Sequence, residues 1–171
     1  CIPEIFVIDD EMDITMYRLG YEELSGNQKT WANLSEQEKS LINSSIDNLY
    51  VTSSGAYIPH VPKWPLSSIG IEHLSGVNLR IEEINWLNSK LNNNSDKSEL
   101  FSYLVDIGCI LRPGFKYGCR WRVYDDDVSN SHAPWLLEPY NEAPESWEKL
   151  CLAVRLAEGV HKKWVCGFHN N

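Results

Sequence analysis

The amino-acid sequence predicts an α+β protein of two lobes, and three observations lead to this fold class. Capping patterns followed by apolar residues at helical spacing occur in both halves of the 171-residue chain. Short strand-like runs bounded by Gly, Pro or Asp alternate with helices in the second half. An Asn-rich run at residues 92–95 interrupts the pattern. We therefore expect a small mixed N-terminal α/β domain over residues 1–92 and a C-terminal α/β domain over residues 96–171, in which helices flank a central mixed sheet.

Two helices and an irregular connection account for the N-terminal lobe. Ser35 and Glu38 form a capping-box pattern, which predicts a helix that continues to about residue 49. A second helix is expected over residues 79–91. Three prolines lie between residues 51 and 66, and proline fixes its own φ and disfavours the helical conformation in the residue before it. This connection is therefore predicted to be extended or looped.

The C-terminal lobe contains two predicted helices. Asp96 and Glu99 form a second capping pattern, apolar side chains follow at helical spacing from residue 100 to residue 107, and Gly108 marks the end of the helix. Ser146 is a favourable N-cap for the other helix. The apolar stripe of that helix consists of Trp147, Leu150, Cys151, Val154, Ala157 and Val160.

Four strands complete the C-terminal lobe. They are predicted at residues 109–112, 117–124, 134–138 and 163–168. Pro113-Gly114 reads as the turn between the first two strands. A short, strongly acidic loop at residues 125–131 separates the second strand from the third. Because it begins with three aspartates, we expect it either to orient a cation or to face a partner.

The composition excludes several classes of protein. The chain is 43% hydrophobic and 23% charged, which is ordinary for a globular protein, and no apolar run approaches the roughly 20 residues that span a bilayer. The first 25 residues carry acids where a secretory signal is basic and then apolar. The five cysteines are an odd number without a CxxC pair, so we expect reduced thiols in an intracellular protein. Because Cys1 is not Met, we expect a processing point or a longer protein.

Basic residues are concentrated away from most of the acids. The net charge is −9, with seven basic against fourteen acidic residues in residues 1–98 and eight against ten in residues 99–171. That balance excludes coating of nucleic acid by bulk charge, so any phosphate site has to be local. Two clusters qualify as local phosphate sites, although both also fit ordinary solvated faces. They are Arg112, Lys116, Arg120 and Arg122, and Arg155, Lys162 and Lys163 with His161.

Three separated motifs carry a resemblance to a known family. They are Pro113-Gly114-Phe115-Lys116-Tyr117-Gly118 followed by Trp121-Arg122-Val123-Tyr124, His132 followed by Ala-Pro-Trp-Leu, and the run of residues 153–163. In this order they resemble the catalytic domain of the tRNA-splicing endonucleases over about residues 96 to 168. The resemblance implies a C-terminal nuclease domain, an N-terminal domain of the same subunit, and an active site formed by Tyr124, His132 and Lys162.

The chemistry of RNA cleavage fits these three residue types. RNA can be cut without metal when its own 2′-hydroxyl attacks the adjacent phosphorus, since the protein then supplies only proton transfer and charge stabilisation. An imidazole moves protons near neutral pH, so His132 suits the acid that protonates the leaving 5′-oxygen. Tyr124 suits the base if a nearby cation helps it, although the two roles could be exchanged. Lys162 suits the donor to the phosphoryl oxygens.

The resemblance also implies the substrate and the assembly. We expect metal-independent cleavage of precursor tRNA at intron–exon junctions of the bulge-helix-bulge type, giving 2′,3′-cyclic phosphate and 5′-hydroxyl ends without a cofactor. Arg155 matches a family arginine that clamps a flipped-out base, while Lys116, Arg122 and Lys163 are candidates for backbone contacts. If the last helix continues, Arg155 and Lys162 share one of its faces.

A dimer or tetramer of endonuclease subunits is expected, in the cytoplasm of an archaeon or the nucleus of a eukaryote. Family domains continue past the final strand found here, so we expect a longer chain or another subunit to complete the sheet.

Three alternatives compete with this interpretation. A non-catalytic structural or RNA-binding subunit of the same assembly is the main one, and it would be favoured if a position of the triad were replaced. A metal-dependent DNA nuclease is disfavoured because no lysine has an acid two positions earlier. A zinc site at Cys166 and His169 with Cys151 lacks a fourth ligand at sensible spacing, so we expect no metal site.

Overall fold

The structure, a computed structural model, describes residues 2–18, 20–93, 100–129 and 132–168. It divides into two compact units, of which one comprises Cys1–Asn27 and Lys97–Asn171 and the other Gln28–Asp96. The first unit carries a six-stranded mixed sheet and the second a four-stranded antiparallel sheet. The α+β class and the mixed sheet expected from the sequence are confirmed.

The unit Gln28–Asp96 is built on four strands in the order β3-β4-β6-β5. Its elements are α1 (Glu36–Ile46), β3 (Tyr50–Val51), β4 (Gly55–Ile58), β5 (Ile71–His73), β6 (Gly76–Arg80) and α2 (Ile81–Leu91). The capping box of α1 forms as predicted, because the N–H of Glu38 donates to Ser35 Oγ and the N–H of Ser35 donates to Glu38 Oε1.

The second helix begins two residues later than predicted. Leu79 pairs with Ala56 in the sheet, so it belongs to β6 and not to the helix. Arg80 is the last residue of β6 and the N-cap of α2. The buried carboxylate of Glu83 accepts hydrogen bonds from the N–H groups of Arg80 and Gly70, which fixes the start of α2 against the sheet.

The larger unit holds a sheet in the order β2-β1-β10-β9-β8-β7. β9 and β10 run parallel, and the other neighbours run antiparallel. Its elements are β1 (Glu4–Ile8), β2 (Ile14–Tyr17), α3 (Leu100–Asp106), β7 (Ile110–Pro113), β8 (Trp121–Tyr124), β9 (Trp135–Pro139), α4 (Trp147–Gly159) and β10 (Lys163–Phe168). Neither β1 nor β2 is predicted from the sequence. Their residues fall in the predicted N-terminal domain of residues 1–92, but the two strands pair with β10 and with each other in this sheet.

Helices lie on both faces of this sheet. Val154 and Ala157 of α4 pack on one face against Leu136 and Trp164, in a cluster that also includes Ile8, Cys119 and Cys166. On the other face Phe101 of α3 lies with its ring centroid 6.0 Å from that of Trp121. Because side chains alternate along a strand, neighbouring residues of β8 face different helices.

The predicted C-terminal strands agree with the structure except in one segment. Residues 117–120 were expected to begin the strand that became β8, and this was wrong. Phe115–Tyr117 instead forms a short 3-10 turn, and Gly118 follows with a left-handed φ of 71°, so β8 begins only at Trp121. The Asp96–Glu99 capping pattern lies outside the described residues. No helix in the described part of the chain is long and apolar enough to cross a membrane.

Candidate active site

The sheet topology brings the three motif residues to one edge. Val123 of β8 lies opposite Trp135 of β9, and Trp135 lies opposite Lys163 of β10. Since β8 and β9 are antiparallel, the end of β8 meets the start of β9, and since β9 and β10 are parallel, the start of β10 lies beside it. Tyr124 ends β8, His132 precedes β9 and Lys162 precedes β10. All three therefore occur at the same end of three adjacent strands.

Tyr124 is held by packing and by one hydrogen bond. Its side chain is 6% exposed and packs with Ile110 and Ala133. Its hydroxyl oxygen accepts a hydrogen bond from Arg122 Nη1 at 3.1 Å, and the Arg122 guanidinium carbon lies 5.8 Å from the centroid of the tyrosine ring. The phenol is thus fixed in place with a cation beside its oxygen.

The end of α4 places Lys162. Val160 caps the helix, and His161 then adopts a left-handed φ of 58°. The N–H of His161 donates to the carbonyl of Glu158 at 2.9 Å, and the N–H of Lys162 donates to the carbonyl of Ala157 at 2.8 Å. These two bonds form a Schellman motif, with histidine at the position that is usually glycine. The motif ends the helix and turns the chain directly into β10.

The side chain of Lys162 points back toward the start of β9. Its ammonium donates a hydrogen bond to the carbonyl of Ala133 and lies 5.7 Å from the centroid of the Tyr117 ring. Partial burial lowers the pKa of Lys162, and the nearby charge of Arg122 lowers it further, while Cys119 opposes the change. Ala133 therefore contacts Tyr124 through its side chain and Lys162 through its carbonyl.

His132 is exposed and directly precedes Ala133 in the chain. Its neighbour Ala133 is 2% exposed and is fixed by Tyr124 and Lys162, so the backbone on which the imidazole stands is anchored at one side. A solvent-accessible imidazole, a buried phenol with an accessible cation partner and a half-buried ammonium are together at this edge. This set can transfer protons and stabilise negative charge.

Residues 95–171 match the family model described as tRNA intron endonuclease, catalytic C-terminal domain. These residues are similar to the tRNA intron endonuclease family, and we name them the endonuclease domain after its model. The resemblance seen in the three motifs over residues 96 to 168 is thereby confirmed. The site at the ends of β8, β9 and β10 lies wholly within this endonuclease domain.

Three similar proteins are named as tRNA-splicing endonucleases or as a probable subunit of one. A tRNA-splicing endonuclease of Picrophilus torridus is 28% identical over 159 residues, which cover 92% of this chain and 48% of the relative. A tRNA-splicing endonuclease of Thermoplasma volcanium is 28% identical over 163 residues, 94% of this chain and 49% of the relative. A probable tRNA-splicing endonuclease subunit sen34 of Schizosaccharomyces pombe is 30% identical over 106 residues, 56% of this chain and 37% of the relative. The chain spans about half the length of the first two.

The basic residues predicted to bind RNA differ in their surroundings within the endonuclease domain. Lys116 is exposed on the 3-10 turn beside Tyr117, whose ring lies near Lys162. Lys163 is exposed, and its ammonium forms an ion pair with Glu23 at 3.1 Å and contacts the Tyr21 hydroxyl at 3.5 Å. These contacts raise the pKa of Lys163.

Arg155 does not share a helix face with Lys162. Arg155 is exposed in the middle of α4, but the helix ends at Gly159 and the left-handed His161 turns the chain before Lys162. A common face was expected only for a helix that continues to Lys162, and this condition is not met. Arg155 is exposed to solvent, whereas Val154 and Ala157 of the same helix are buried.

The acidic loop after Tyr124 is held by local contacts. The carbonyl of Asp125 accepts a hydrogen bond from the N–H of Asn27 at 3.1 Å, and Asp126 accepts one from the Asn27 side chain. Asp127 accepts two from Ser129, which lower the pKa of Asp127. These contacts attach the described part of the loop to residues that precede the endonuclease domain.

The four described cysteines are free thiols, as the sequence predicted. Burial raises the pKa of Cys109, Cys119 and Cys166 to about 12, so these thiols stay protonated. Across residues 2–18, 20–93, 100–129 and 132–168, no three His, Cys, Asp or Glu side chains form a group that could hold a metal ion. His169, which the zinc alternative required, lies outside the described residues.

The contact between Arg122 and Tyr124 was missed at the level of sequence. Arg122 was assigned to RNA phosphates from its charge alone, yet it is half-buried and bonds to the tyrosine hydroxyl. A signal was available, because residues i and i+2 of a strand point to the same face. The position of Tyr117 was also not predicted. Tyr117 was expected to begin a strand, but it ends a 3-10 turn and its ring lies near the ammonium of Lys162.

Proposed function

We propose that the protein is a metal-independent RNA endonuclease that cleaves precursor tRNA at its intron–exon junctions. The match of residues 95–171 to the tRNA intron endonuclease model supports the substrate class. The single observation that carries the chemistry is the contact set around Ala133, in which Tyr124 packs on the side chain and Lys162 binds the carbonyl, with His132 adjacent. Three groups suited to proton transfer and charge stabilisation are thereby collected at one sheet edge.

The proposed reaction is an internal transfer of the phosphoryl group. The 2′-oxygen of the nucleotide before the junction loses its proton and bonds to the adjacent phosphorus. The bond from phosphorus to the 5′-oxygen of the next nucleotide breaks, and that oxygen gains a proton. The products are a 2′,3′-cyclic phosphate and a 5′-hydroxyl, and neither water nor another reactant is consumed. The nucleophile already belongs to the substrate, so positioning it supplies much of the rate enhancement.

Each residue of the triad has one role in this proposal. Tyr124 takes the proton of the 2′-hydroxyl as a phenolate, formed when its own hydroxyl proton passes to solvent, and the transfer returns it to the neutral phenol. The guanidinium beside its oxygen stabilises that phenolate. His132 donates the proton to the 5′-oxygen, which fits an exposed imidazole that exchanges protons with solvent. Lys162 donates to the phosphoryl oxygens as negative charge builds there, moving from the carbonyl of Ala133.

We further propose that the RNA is recognised by its shape. Paired bulges that flank a short helix would splay bases and phosphates toward the sheet edge, where Lys116 and Lys163 hold the backbone and Arg155 stacks on an unpaired base. Because the first two relatives are about twice as long as this chain, a second copy or another endonuclease subunit is proposed to complete the enzyme. A precursor with two junctions then meets two such sites.

Cleavage of a labelled, bulge-containing precursor RNA in excess EDTA tests the proposal. The expected products carry a 2′,3′-cyclic phosphate. Acid opens this group to a 2′- or 3′-monophosphate, and the added charge shifts the electrophoretic mobility of the fragment. A second RNA with one 2′-deoxynucleotide at the junction should bind equally and remain uncut, because the nucleophile is missing.

Variants of the triad test the assigned roles in the same assay. Tyr124→Phe, His132→Ala and Lys162→Met should each lower the single-turnover rate on the order of 10²- to 10⁴-fold. His73→Ala removes an exposed histidine of the other unit and should leave the rate unchanged. Failure of the parent protein to form the cyclic phosphate, or equal cutting by His132→Ala, would refute the proposal. RNA binding without cutting would favour the non-catalytic subunit.

A further inference from the structure

Arg122 has two oriented hydrogen bonds that direct its guanidinium toward Tyr124. Nε donates to the carbonyl of Pro113 on the neighbouring strand at 2.9 Å, and Nη1 donates to the Tyr124 hydroxyl oxygen at 3.1 Å. Because the guanidinium is planar, two bonds from different nitrogens fix its orientation as well as its position. The group is therefore held in place before any substrate arrives.

We propose that Arg122 is a positioning residue for Tyr124 and not, as its charge alone indicated, a contact to the RNA backbone. This inference rests on the proposed function, because it assigns Arg122 a part in the same reaction. The guanidinium holds the phenol oxygen in one orientation and stabilises the phenolate that accepts the 2′ proton and is neutralised by it. Arg122 acts on the substrate only through Tyr124.

Burial and alternation along β8 support this role. Tyr124 is 6% exposed and cannot adopt another position without losing its packing on Ile110 and Ala133. Arg122 and Tyr124 point to the same face of β8, since they are two residues apart in a strand. The register places Arg122 opposite Arg112 of β7, so the carbonyl of Pro113 lies within reach of Nε. The strand pairing itself therefore sets the geometry of the contact.

The charges near Arg122 support the same conclusion. Burial lowers the pKa of Lys162, and the positive charge of Arg122 lowers it further, as expected for two cations that lie near each other. Two like charges held close together favour an anion between or beside them. Before the proposed proton transfer Arg122 stabilises the phenolate of Tyr124, and as the new bond to phosphorus forms Lys162 stabilises the charge on the phosphoryl oxygens. The two cations would then stabilise different negative charges of one reaction.

Single-turnover cleavage and equilibrium RNA binding, measured together, test the inference. Arg122→Ala should lower the rate at saturating precursor RNA on the order of 10- to 100-fold, the range typical when the partner that orients an active-site group is lost. Its dissociation constant for RNA should change by less than about twofold. Arg122→Lys should recover part of the rate at most, because one ammonium cannot make both oriented bonds. Arg18→Ala removes an equal charge at an exposed position that directly follows β2 and belongs to neither basic cluster, so it should match the parent protein in rate and binding.

A double-mutant cycle separates action through Tyr124 from a general structural role. In the Tyr124→Phe background the Arg122→Ala change should have no further effect on the rate, because the hydroxyl on which it acts is absent. A loss that persists in that background would overturn the inference, and so would an unchanged rate in the single variant. A higher dissociation constant with an unchanged rate at saturation would show instead that Arg122 contacts a phosphate of the RNA. If the parent protein does not cut RNA at all, the proposed function itself has failed.

Discussion

Replacing Glu138 with Gln should stabilise the protein at pH 8 and remove a loss of stability between pH 5 and pH 8. Glu138 is a carboxyl of β9 that is only 7% exposed, and it lies opposite Cys166 of β10. Burial raises the pKa of this carboxyl to about 7, and the nearby charge of Glu142 contributes, while contacts with Arg120 oppose the change. Folding therefore favours the protonated form.

The sign and the size of the effect follow from this difference. The ordinary pKa of the carboxyl is 4.5, so between pH 4.5 and about pH 7 the folded protein binds one proton more than the unfolded chain. Stability falls with rising pH wherever the folded state binds more protons, and it levels off above the folded pKa. One pKa unit corresponds to about 1.4 kcal/mol, so the difference predicts a loss of about 3 kcal/mol. Gln keeps the size and the hydrogen-bonding capacity of the protonated acid without this loss.

Urea denaturation at pH 5, 6, 7 and 8 measures the effect. The parent protein and Glu145→Gln, which changes an exposed acid that lies close by in the sequence, should both lose stability toward pH 8. Glu138→Gln should lose about 3 kcal/mol less than either of them. The reasoning is refuted if Glu138→Gln retains the pH dependence of the parent, or if the parent gains stability over this range.

Two further substitutions test how α3 and α4 are attached. A Cβ at Gly167 would lie 2.7 Å from Leu100 Cδ2, so Gly167→Ala should lower the free energy of unfolding, measured in urea, by about 1 to 3 kcal/mol. Gly159 has open space around it, so Gly159→Ala should not lower that free energy. Equal effects of the two substitutions would contradict this packing. His161 has a left-handed φ of 58°, which favours glycine. His161→Gly should therefore raise the free energy of unfolding in urea by about 0.5 to 1 kcal/mol and leave the cleavage rate unchanged. An unchanged or lower free energy of unfolding would show that the Schellman geometry is not strained.

Local signals in the sequence predicted most elements of the endonuclease domain. The N-cap Ser146 accepts a hydrogen bond from the N–H of Lys149, and the apolar residues Val154 and Ala157 are buried at the spacing that identified α4. The same stripe overestimated burial at its ends, since Trp147 is 59% and Val160 39% exposed. Periodicity identifies the helix, but the length of the surface that covers it decides which turns are buried.

Pairing between distant segments could not be predicted in this way. β1 contributes to the sheet through β10, where Ile8 lies opposite Trp164. The run Ile5-Phe6-Val7-Ile8 is rich in β-branched and aromatic residues, which are typical of a strand. The residues around it carry no signal that identifies β10 as the strand with which it pairs. The boundary near residue 92 was drawn from composition, which carries no information about such long-range contacts.

The candidate site shows the same division. Motif order alone identified Tyr124, His132 and Lys162, and strand topology explains why residues 38 positions apart in sequence occur at one edge. The turn at residues 115–118 and the left-handed His161 were not predicted, because both depend on single residues that override a neighbouring pattern. Those two exceptions fix where Tyr117 and Lys162 lie.

Neutral partners explain how an acidic chain can offer an anion site. The cations Lys163 and Arg120 are paired with Glu23 and Glu142, whereas Lys162 and Arg122 donate the hydrogen bonds described above to carbonyl and hydroxyl oxygens. Positive charge at the sheet edge therefore stays available for an anion although the net charge is −9.

Only a few phosphates can be neutralised by such a site, so RNA binding should depend weakly on salt. If about three or four cations contact phosphates, the logarithm of the binding constant should fall against the logarithm of the salt concentration with a slope of about −2 to −4. Filter binding of the precursor RNA between about 50 and 300 mM KCl measures this slope. A value of about −7 or steeper would mean that a wide basic surface binds the RNA, and the description of a small local site would then be wrong.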